Sequence, residues 1–455
     1  MVAGYGAELS KLLESIGAEP GDRVRVLTID GTTIEGVILP RYELGDSNVL
    51  VVKLRSGYNV GIHAGRIEKV EIVGRSAKRG PIGAPVSLLE KEPSPPSRVL
   101  VSILGTGGTI ASRVDYETGA VKPSMSQEEV LLAVPEVLNY ASIEVEEVFS
   151  VLSEEMKPWM WERIVDAVAR KIESGVSGVV VAHGTDTMSY TAAALSFAFH
   201  RGLPVPVAFV GAQRSSDRPS SDAAFNLLSA VIVAAKAPFS EVVVVMHGET
   251  GDTYSLAHRG VRVRKMHTSR RDAFQSINAL PLAKIYPDSG KIEILDNEYR
   301  RRKSQGLVVD NGFDDKVAYV KHYPGPIAEI LETLIDKGFH GIVIEGTGFG
   351  HVSTDAIKAI RRAVEEGIPV VVASQTLFGR VNLNVYSTGR KMLEAGVIPV
   401  EDMIPETAYV KLSWVLARTR DLGEIRKLMT SNLAGEIGYR HHVRLYPRWY
   451  HGGKA

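Results

Sequence analysis

Val99-Leu-Val-Ser-Ile-Leu-Gly-Thr-Gly-Gly-Thr-Ile-Ala-Ser112 is an almost uninterrupted apolar run that leads straight into a glycine-rich turn. A continuous apolar run is typical of a strand buried on both faces of a parallel sheet. Open α/β sheets bind their ligands at the carboxyl ends of such strands, in the loops that follow them. The stretch therefore predicts both the start of an α/β domain and one part of its site.

The same alternation of apolar strand and helix continues along the chain. Further strands are expected at 177–182, 205–211 and 242–246, with helices at 157–174, 188–199 and 222–235. This alternation predicts a large doubly wound α/β domain over residues 99–300. A smaller α/β domain, 301–435, follows a weakly periodic break at 281–316. Its expected strands are 317–320, 341–345 and 369–373, and its expected helices are 326–337, 354–366 and 406–417.

The residues before the α/β body have a different character. Short β-rich runs separated by glycines fill residues 1–75, and Asp30-Gly31 between two of them is a strong hairpin signal. Strands at this spacing predict a small β-barrel. Residues 76–98 are rich in proline and read as a semi-extended linker. The tail, residues 436–455, matches no pattern.

Composition excludes several classes of protein. The chain has 455 residues, 53 Lys and Arg against 53 Asp and Glu, and no cysteine. Cysteine nucleophiles, thiolate zinc sites and iron–sulfur clusters are therefore excluded. The zero formal net charge gives no global attraction to nucleic acid or to a membrane surface. With no secretory signal and no apolar run near the ~20 residues of a membrane span, we expect a cytoplasmic protein without membrane contact.

The glycine-rich turn carries two hydroxyls, Thr106 and Thr109. It does not fit the dinucleotide fingerprint, because Ile110 stands at the third glycine position, and no Gly-Lys-Ser/Thr of a P-loop follows. From the residues alone, the turn is either a functional loop or only a tight connection.

A second polar segment, His183-Gly-Thr-Asp-Thr187, also follows an apolar strand. Thr185 and Asp186 would anchor a substrate there, unless Asp186 or Thr187 simply caps the next helix. A threonine hydroxyl becomes a nucleophile only when a base takes its proton, and a buried lysine beside other cations can do so. Lys265 would complete a Thr–Lys–Asp cluster, unless it is only a solvated charge of the basic run in which it stands. Backbone N–H groups of the glycine-rich turn would then stabilise the oxyanion. Such a site suits amide hydrolysis without a metal or redox cofactor.

These two segments, in this order and spacing, resemble the signature motifs of bacterial-type L-asparaginases. Gly211-Ala-Gln-Arg214, Asp222-Ala-Ala-Phe-Asn-Leu227 and Val263-Arg-Lys-Met-His-Thr-Ser269 strengthen the resemblance, which covers about 98–435. It implies a dimeric two-domain α/β hydrolase that releases ammonia from the side-chain amide of Asn or Gln.

The resemblance also implies roles for individual residues. Thr109 matches the first catalytic threonine, assigned as the acyl acceptor, and Thr185, Asp186 and Lys265 match the activating group. The implied substrate-binding residues are Tyr116 of a mobile lid, Ser153 and Glu154. Glu154 stands where many asparaginases have glutamine.

The leader and linker, together with Val210–Asp222 and Gly379–Gly389, are similar to the D-subunit family of archaeal glutamyl-tRNA(Gln) amidotransferases. This resemblance implies a homodimer within a heterotetramer, a partner E subunit that holds ATP and Mg²⁺, and contact with tRNA(Gln) through the complex. The chain itself would carry no cofactor. The alternatives are a free-standing L-asparaginase with an accessory barrel, and a non-catalytic module that binds an amino acid or nucleotide.

Two further features are predicted to have no binding role. The run Arg300-Arg-Arg-Lys303 is expected to be a solvated loop rather than a phosphate-binding site. His441, His442 and His451 lack accompanying ligands at metal-binding spacing, so no metal site is predicted.

Overall fold

The structure is a computed structural model that describes residues 5–39, 47–54, 59–75, 99–107, 112–114, 121–123, 134–214, 221–440 and 445–446. The predicted linker 76–98, Thr109, Tyr116 and His441, His442 and His451 of the tail lie outside the described residues. Elements are numbered in chain order.

The N-terminal unit is one helix and a five-stranded antiparallel sheet around a core of its own. Its elements are α1 (Ala7–Ile16), β1 (Arg23–Thr28), β2 (Thr33–Ile38), β3 (Val49–Leu54), β4 (Asn59–His63) and β5 (Ile67–Gly74). The hairpin predicted at Asp30-Gly31 is confirmed, because β1 pairs with β2 from Leu27 opposite Thr33. The strand order β4-β3-β2-β1-β5 leaves β4 and β5 at the edges, so closure into a barrel stays a prediction.

The large domain contains an eight-stranded sheet and two strand pairs outside it. The sheet strands are β6 (Leu100–Gly105), β9 (Ser142–Glu147), β10 (Gly178–Ala182), β11 (Val207–Val210), β12 (Val242–His247), β13 (Ser255–Arg259), β16 (Ala283–Tyr286) and β17 (Lys291–Ile294). The separate pairs are β7 (Ser112–Val114) with β8 (Val121–Pro123), and β14 (Val263–Lys265) with β15 (Phe274–Ser276). The sheet order is β17-β16-β13-β12-β11-β10-β6-β9, and the five strands from β12 to β9 are parallel.

Helices cover both faces of this sheet. They are α2 (Pro158–Glu173), α3 (Met188–Ala198) and α4 (Ala223–Lys236), each within one residue of its predicted bounds at either end. Along β10, Val179 and Val181 belong to the core beneath α2 and α3, whereas Val180 and Ala182 belong to the core beneath α4. Because successive strand residues point to opposite faces, this division explains why the strand is apolar throughout. The predicted doubly wound domain is confirmed.

The smaller domain is a four-stranded parallel sheet with helices. Its elements are β18 (Val317–Lys321), α5 (Ile327–Asp336), β19 (Gly341–Gly346), α6 (Thr354–Glu365), β20 (Val370–Ser374), α7 (Ser387–Glu394), β21 (Ile398–Pro399), α8 (Pro405–Leu416) and α9 (Leu422–Thr430). Helix α8 packs directly on α3, and the Phe197 and Trp414 rings stack 6.1 Å apart. One hydrophobic core therefore runs through both domains.

The predicted break at 281–316 is partly wrong. Strands β16 and β17 lie within it and extend the large sheet as an antiparallel hairpin. The prediction missed them because each has only four residues, too few to show a period.

The expectation that Arg300-Arg-Arg-Lys303 is a solvated loop is also wrong for two of its side chains. Arg302 donates to the carbonyls of Ala234, Ala235 and Ala237 at the end of α4, and to that of Ser177 before β10. Arg300 donates to the carbonyl of His200, just after α3, at 3.0 Å. Both guanidinium groups therefore satisfy carbonyls at helix ends, where positive charge is favourable.

Replacing Arg302 by alanine should lower the free energy of unfolding by about 2–3 kcal/mol, because partly buried carbonyls lose a charged donor. Chemical denaturation of the wild type and the variant measures this loss. Arg301→Ala is the matched control, since the Arg301 side chain is exposed and its loss should cost no more than about 0.5 kcal/mol. Equal losses in the two variants would contradict this role of Arg302.

Candidate active site

The site is built at the carboxyl ends of β6, β10 and β11, which are adjacent parallel strands. Thr106, just beyond β6, donates both its backbone N–H and its hydroxyl to the carbonyl of Ala182, each at 3.0 Å. The two loops predicted to be functional therefore begin side by side and are fixed to each other at their first residues.

Glycine is required at position 107 of the first loop. Gly107 has φ of +101°, a conformation that L side chains rarely adopt, and an added Cβ would lie 2.1 Å from the carbonyl oxygen of Val151. The loop therefore passes directly against the segment that leads to Ser153. Thr109, two residues further on, lies outside the described residues.

Thr185, Asp186 and Lys265 are brought together as the sequence predicted. Lys265 Nζ lies 2.9 Å from Thr185 Oγ1 and 2.7 Å from Asp186 Oδ1. Thr185 and Lys265 are largely buried, whereas the Asp186 side chain is 65% exposed. A neutral Lys265 amine at this distance can accept the threonine proton while still donating to the carboxylate. Asp186 therefore holds the amine in place from the solvent side.

Helix capping does not account for this segment. The N-cap residue of α3 is Thr187, and its side chain makes no capping bond within the described part of the chain. Its hydroxyl instead donates to the carbonyl of Ser153 at 2.6 Å, and Asp186 is taken by Lys265. Both polar side chains serve contacts outside the helix.

Of the predicted substrate-binding residues, Ser153 and Glu154 are described and lie in a short 3₁₀ helix, Ser153–Glu155. Ser153 is buried and packs on Gly184, where an added Cβ would come within 2.7 Å of the serine Cβ. Glu154 is exposed. The structure thus places Ser153 against the Thr185 loop, and the substrate-binding roles of both residues stay predictions. Tyr116 lies outside the described residues.

His183, the first residue of the second loop, is a buried anchor. Its Nδ1 lies 2.7 Å from the carbonyl of Gly184, which can only accept, so Nδ1 carries the proton. Its Nε2 then accepts from the hydroxyl of Thr191 at 2.9 Å. Burial lowers the pKa of His183 to about 4, so the ring is neutral near pH 7. Both ring nitrogens are occupied in holding the loop to α3.

A buried polar group behind Thr185 was not assigned a role from the sequence. Asp222 accepts the backbone N–H groups of Gln213 and Arg214 at 3.0 and 2.9 Å, and Asn226 donates to the carbonyl of Gly211 at 3.0 Å. An added Cβ at Gly211 would lie 2.8 Å from Thr185 Cγ2. Asp222 and Asn226 therefore shape the wall of the site. The signal for them was an acidic residue at the start of a mostly apolar helix with an amide residue four positions later.

Comparison with known proteins covers most of the chain. The family model described as "Asparaginase, N-terminal" matches residues 100–300, "Glutaminase/Asparaginase C-terminal domain" matches 316–429, and "GatD N-terminal domain" matches 18–73. The D subunit of glutamyl-tRNA(Gln) amidotransferase from Aeropyrum pernix is 61% identical over 92% of this chain and 97% of its own length. Its counterpart in Pyrococcus horikoshii is 56% identical over 92% of this chain and 94% of its own length.

The chain belongs to the D-subunit family of glutamyl-tRNA(Gln) amidotransferases.

Solved structures confirm the asparaginase-like body of this D-subunit family member. The thermostable L-asparaginase from Thermococcus kodakarensis superposes with a TM-score of 0.67 at 34% identity, covering 75% of this chain and 99% of that one. The L-asparaginase I of Vibrio cholerae gives a TM-score of 0.65 at 30% identity, covering 75% of this chain and 100% of that one. Both resemblances predicted from the sequence are thus confirmed.

Lys265→Arg and Lys265→Ala should both reduce kcat for amide hydrolysis by roughly 10²–10⁴-fold, the usual contribution of a general base. Arginine keeps the positive charge but does not release its proton. Ammonia release from glutamine and asparagine measures the effect. Lys291→Arg, at an exposed position on β17, is the matched control and should keep wild-type kcat. Substantial activity in Lys265→Arg would show that Lys265 acts only through its charge.

Proposed function

We propose that this chain hydrolyses the side-chain amide of glutamine or asparagine and supplies the ammonia to a partner, the E subunit of the amidotransferase. The partner uses it with ATP to convert Glu-tRNA(Gln) to Gln-tRNA(Gln). The observation that carries the hydrolytic half is the position of Lys265 Nζ, within hydrogen-bond distance of both Thr185 and Asp186. The similarity to D-subunit relatives over 92% of the chain supports the transfer half.

In the first step, the hydroxyl of Thr109 attacks the amide carbonyl. Lys265 takes up the hydroxyl proton through Thr185, whose Oγ1 is 2.9 Å from Nζ. A Thr109 Oγ–carbon bond forms, the carbon–nitrogen bond breaks, and Lys265 returns the proton to the leaving nitrogen, which departs as ammonia. The substrate is left as an acyl ester on Thr109.

In the second step, water cleaves this ester. Lys265 takes a proton from the water and gives it to Thr109 Oγ as the carbon–oxygen bond breaks, which releases glutamate or aspartate. Backbone N–H groups of the glycine-rich turn stabilise the negative oxygen that forms in both steps. The hydrogen bonds of Thr106 to the carbonyl of Ala182 support this assignment, because they start the turn beside the loop that carries Thr185.

For the assembly, we propose a homodimer of this chain within a heterotetramer in the cytoplasm. ATP and Mg²⁺ belong to the E subunit, and tRNA(Gln) is reached through the complex. The match of residues 18–73 to the "GatD N-terminal domain" model supports a role for the N-terminal unit in that assembly. None of the helices in the described residues is both long and apolar enough to cross a membrane.

The second candidate function is that of a free-standing L-asparaginase with an accessory domain. It is favoured by the L-asparaginase of Thermococcus kodakarensis, 99% of which is covered by the body of this chain. Asparagine and glutamine differ by one methylene, which changes specificity by only ~1–3 kcal/mol, so both candidates predict hydrolysis of both amides. Co-purification with a tRNA-binding, ATP-dependent partner separates them. A non-catalytic binding module would need no Thr–Lys–Asp contact.

Thr109→Val should reduce ammonia release by roughly three orders of magnitude or more, because valine has no hydroxyl to form the ester. The assay is ammonia release from glutamine by the purified protein. Thr109→Ser keeps a hydroxyl and should retain a large part of the activity. Near-wild-type release by Thr109→Val would move the nucleophile to Thr185.

Removal of residues 1–95 should spare amide hydrolysis, because the N-terminal unit has its own core and all the candidate catalytic residues lie beyond it. It should weaken formation of Gln-tRNA with the E subunit and ATP, since a tethered docking module raises the effective concentration of the two active sites. Both activities are measured on the truncated and the full chain. Unimpaired Gln-tRNA formation by the truncated chain would show that the N-terminal unit is not the docking element, whereas no Gln-tRNA formation by the full chain would favour the free-standing asparaginase.

A further inference from the structure

Lys265 lies on β14, a short strand whose pairing with its neighbour gives only weak support. Within the described residues its strand partner is β15, three residues against three, and the two form a sheet separate from the main one. A two-stranded hairpin is marginally stable in water without other packing. The position of Lys265 Nζ therefore depends on what else holds this hairpin.

Along β14 and the residue before it, arginines alternate with residues that face the catalytic loops or the core. Val263 and Lys265 belong to one face, with Lys265 at Thr185 and Asp186 and Val263 in the shared core. Successive residues of a strand point to opposite sides, so Arg262, just before β14, and Arg264 point away from the catalytic loops. Both reach carboxylates of the smaller domain, which are Asp402, three residues before α8, and Glu406 in its first turn.

The ion pair between Arg262 and Asp402 is fully buried, and both residues make further hydrogen bonds. Arg262 Nη1 lies 3.1 Å from Asp402 Oδ2 and also donates to the Asp402 carbonyl at 3.1 Å, while Nε donates to the carbonyl of Gly435. Asp402 Oδ1 in turn accepts the N–H of Gly438 at 2.8 Å. An added Cβ at Gly438 would lie 2.7 Å from Asp402 Oδ2, so the tail segment closes over this pair.

The Arg264 contact is simpler and more accessible. Arg264 Nη1 lies 2.8 Å from Glu406 Oε1, and the arginine side chain is 31% exposed while the glutamate is buried. Burial raises the pKa of Glu406, and the charge of Arg264 opposes that rise. Next to Glu406, the hydroxyl of Thr407 donates to the carbonyl of Val261 at 3.0 Å. The first turn of α8 thus holds β14 by an ion pair and the residue before Arg262 by a hydrogen bond.

The other strand of the hairpin is held to the same domain. Asn278, two residues after β15, has φ of +56° and donates to the carbonyls of Leu377, Gly379 and Asp402 at 3.0–3.1 Å. Its side-chain carbonyl oxygen accepts the N–H of Gly379 at 3.0 Å. Both ends of the hairpin are therefore fixed to the segment between β20 and α8.

We propose that Arg262 and Arg264 are positioning residues for amide hydrolysis, which act by clamping β14 to Asp402 and Glu406 so that Lys265 Nζ stays within reach of Thr185. The inference rests on the proposed function, in which Lys265 is the base. A displacement of a reacting group by about 1 Å can cost 10²-fold in rate. A buried ion pair contributes little net stability compared with apolar packing, so its geometric effect is the more important one here.

The test uses Arg264, because its partial exposure makes the variant the less disruptive one. In Arg264→Met, kcat for glutamine hydrolysis should fall at least about tenfold while KM changes less than about twofold, since the base acts in the transition state and not in substrate binding. Arg264→Lys should restore most of kcat, because the pair uses a single N–O contact that an ammonium can replace. Glu406→Gln should lower kcat in the same direction and provides a second variant if Arg264→Met does not fold.

Arg418→Met is the matched control. Arg418 follows the carboxyl end of α8, the end opposite Glu406, and forms a partly buried ion pair with Asp310 at 2.7 Å. This variant should lose thermal stability with kcat of the folded protein unchanged. Wild-type kcat in Arg264→Met, or an equal loss of kcat in Arg418→Met, overturns the inference. A wild-type chain that releases no ammonia from either amide overturns the proposed function instead, and the inference with it.

Discussion

The 2.9 Å contact between Lys265 Nζ and Thr185 Oγ1 joins elements that belong to different sheets. Thr185 is fixed by the carboxyl end of β10, in the middle of a wide, mostly parallel sheet. Lys265 comes from a separate hairpin in which β14 pairs with an equally short strand. The contact therefore requires the hairpin to be oriented by something other than strand pairing. The smaller domain does this, so it is part of the construction of the site and not only an addition to the core.

Buried charge is used in this fold mainly to set geometry. Lys411 of α8 and Glu436 of the tail have fully buried side chains 2.6 Å apart, and each makes further bonds to backbone groups. Desolvation of two such charges is costly, and only a complete set of partners offsets it. The observed arrangement supplies those partners because the tail folds back onto α8. The tail in turn reaches Asp402 through Gly438, and so it closes the pair that holds Arg262.

Sequence reasoning was accurate where a structural signal is local. The continuous apolar runs predicted β6, β10, β11 and β12. The glycine-rich and Thr-Asp segments at the ends of β6 and β10 begin side by side, because strand ends in a parallel sheet share one edge. It failed where partners are distant in sequence. Arg262 and Asp402 are separated by 140 residues, and the carbonyls that Arg302 satisfies lie 65 residues or more before it. Nothing near either arginine distinguishes a buried clamp from a solvated charge.

The basic run Arg300-Arg-Arg-Lys303, wrongly predicted to be fully solvated, bears on the proposed contact with tRNA. Arg300 and Arg302 donate to carbonyls at helix ends, so both guanidinium groups are held by the protein's own backbone. The formal net charge of zero adds no long-range attraction for a polyanion. Amide hydrolysis itself needs no such attraction, since glutamine is small and uncharged in its side chain. Both points agree with the proposal that this chain supplies ammonia and that tRNA(Gln) is reached through the complex.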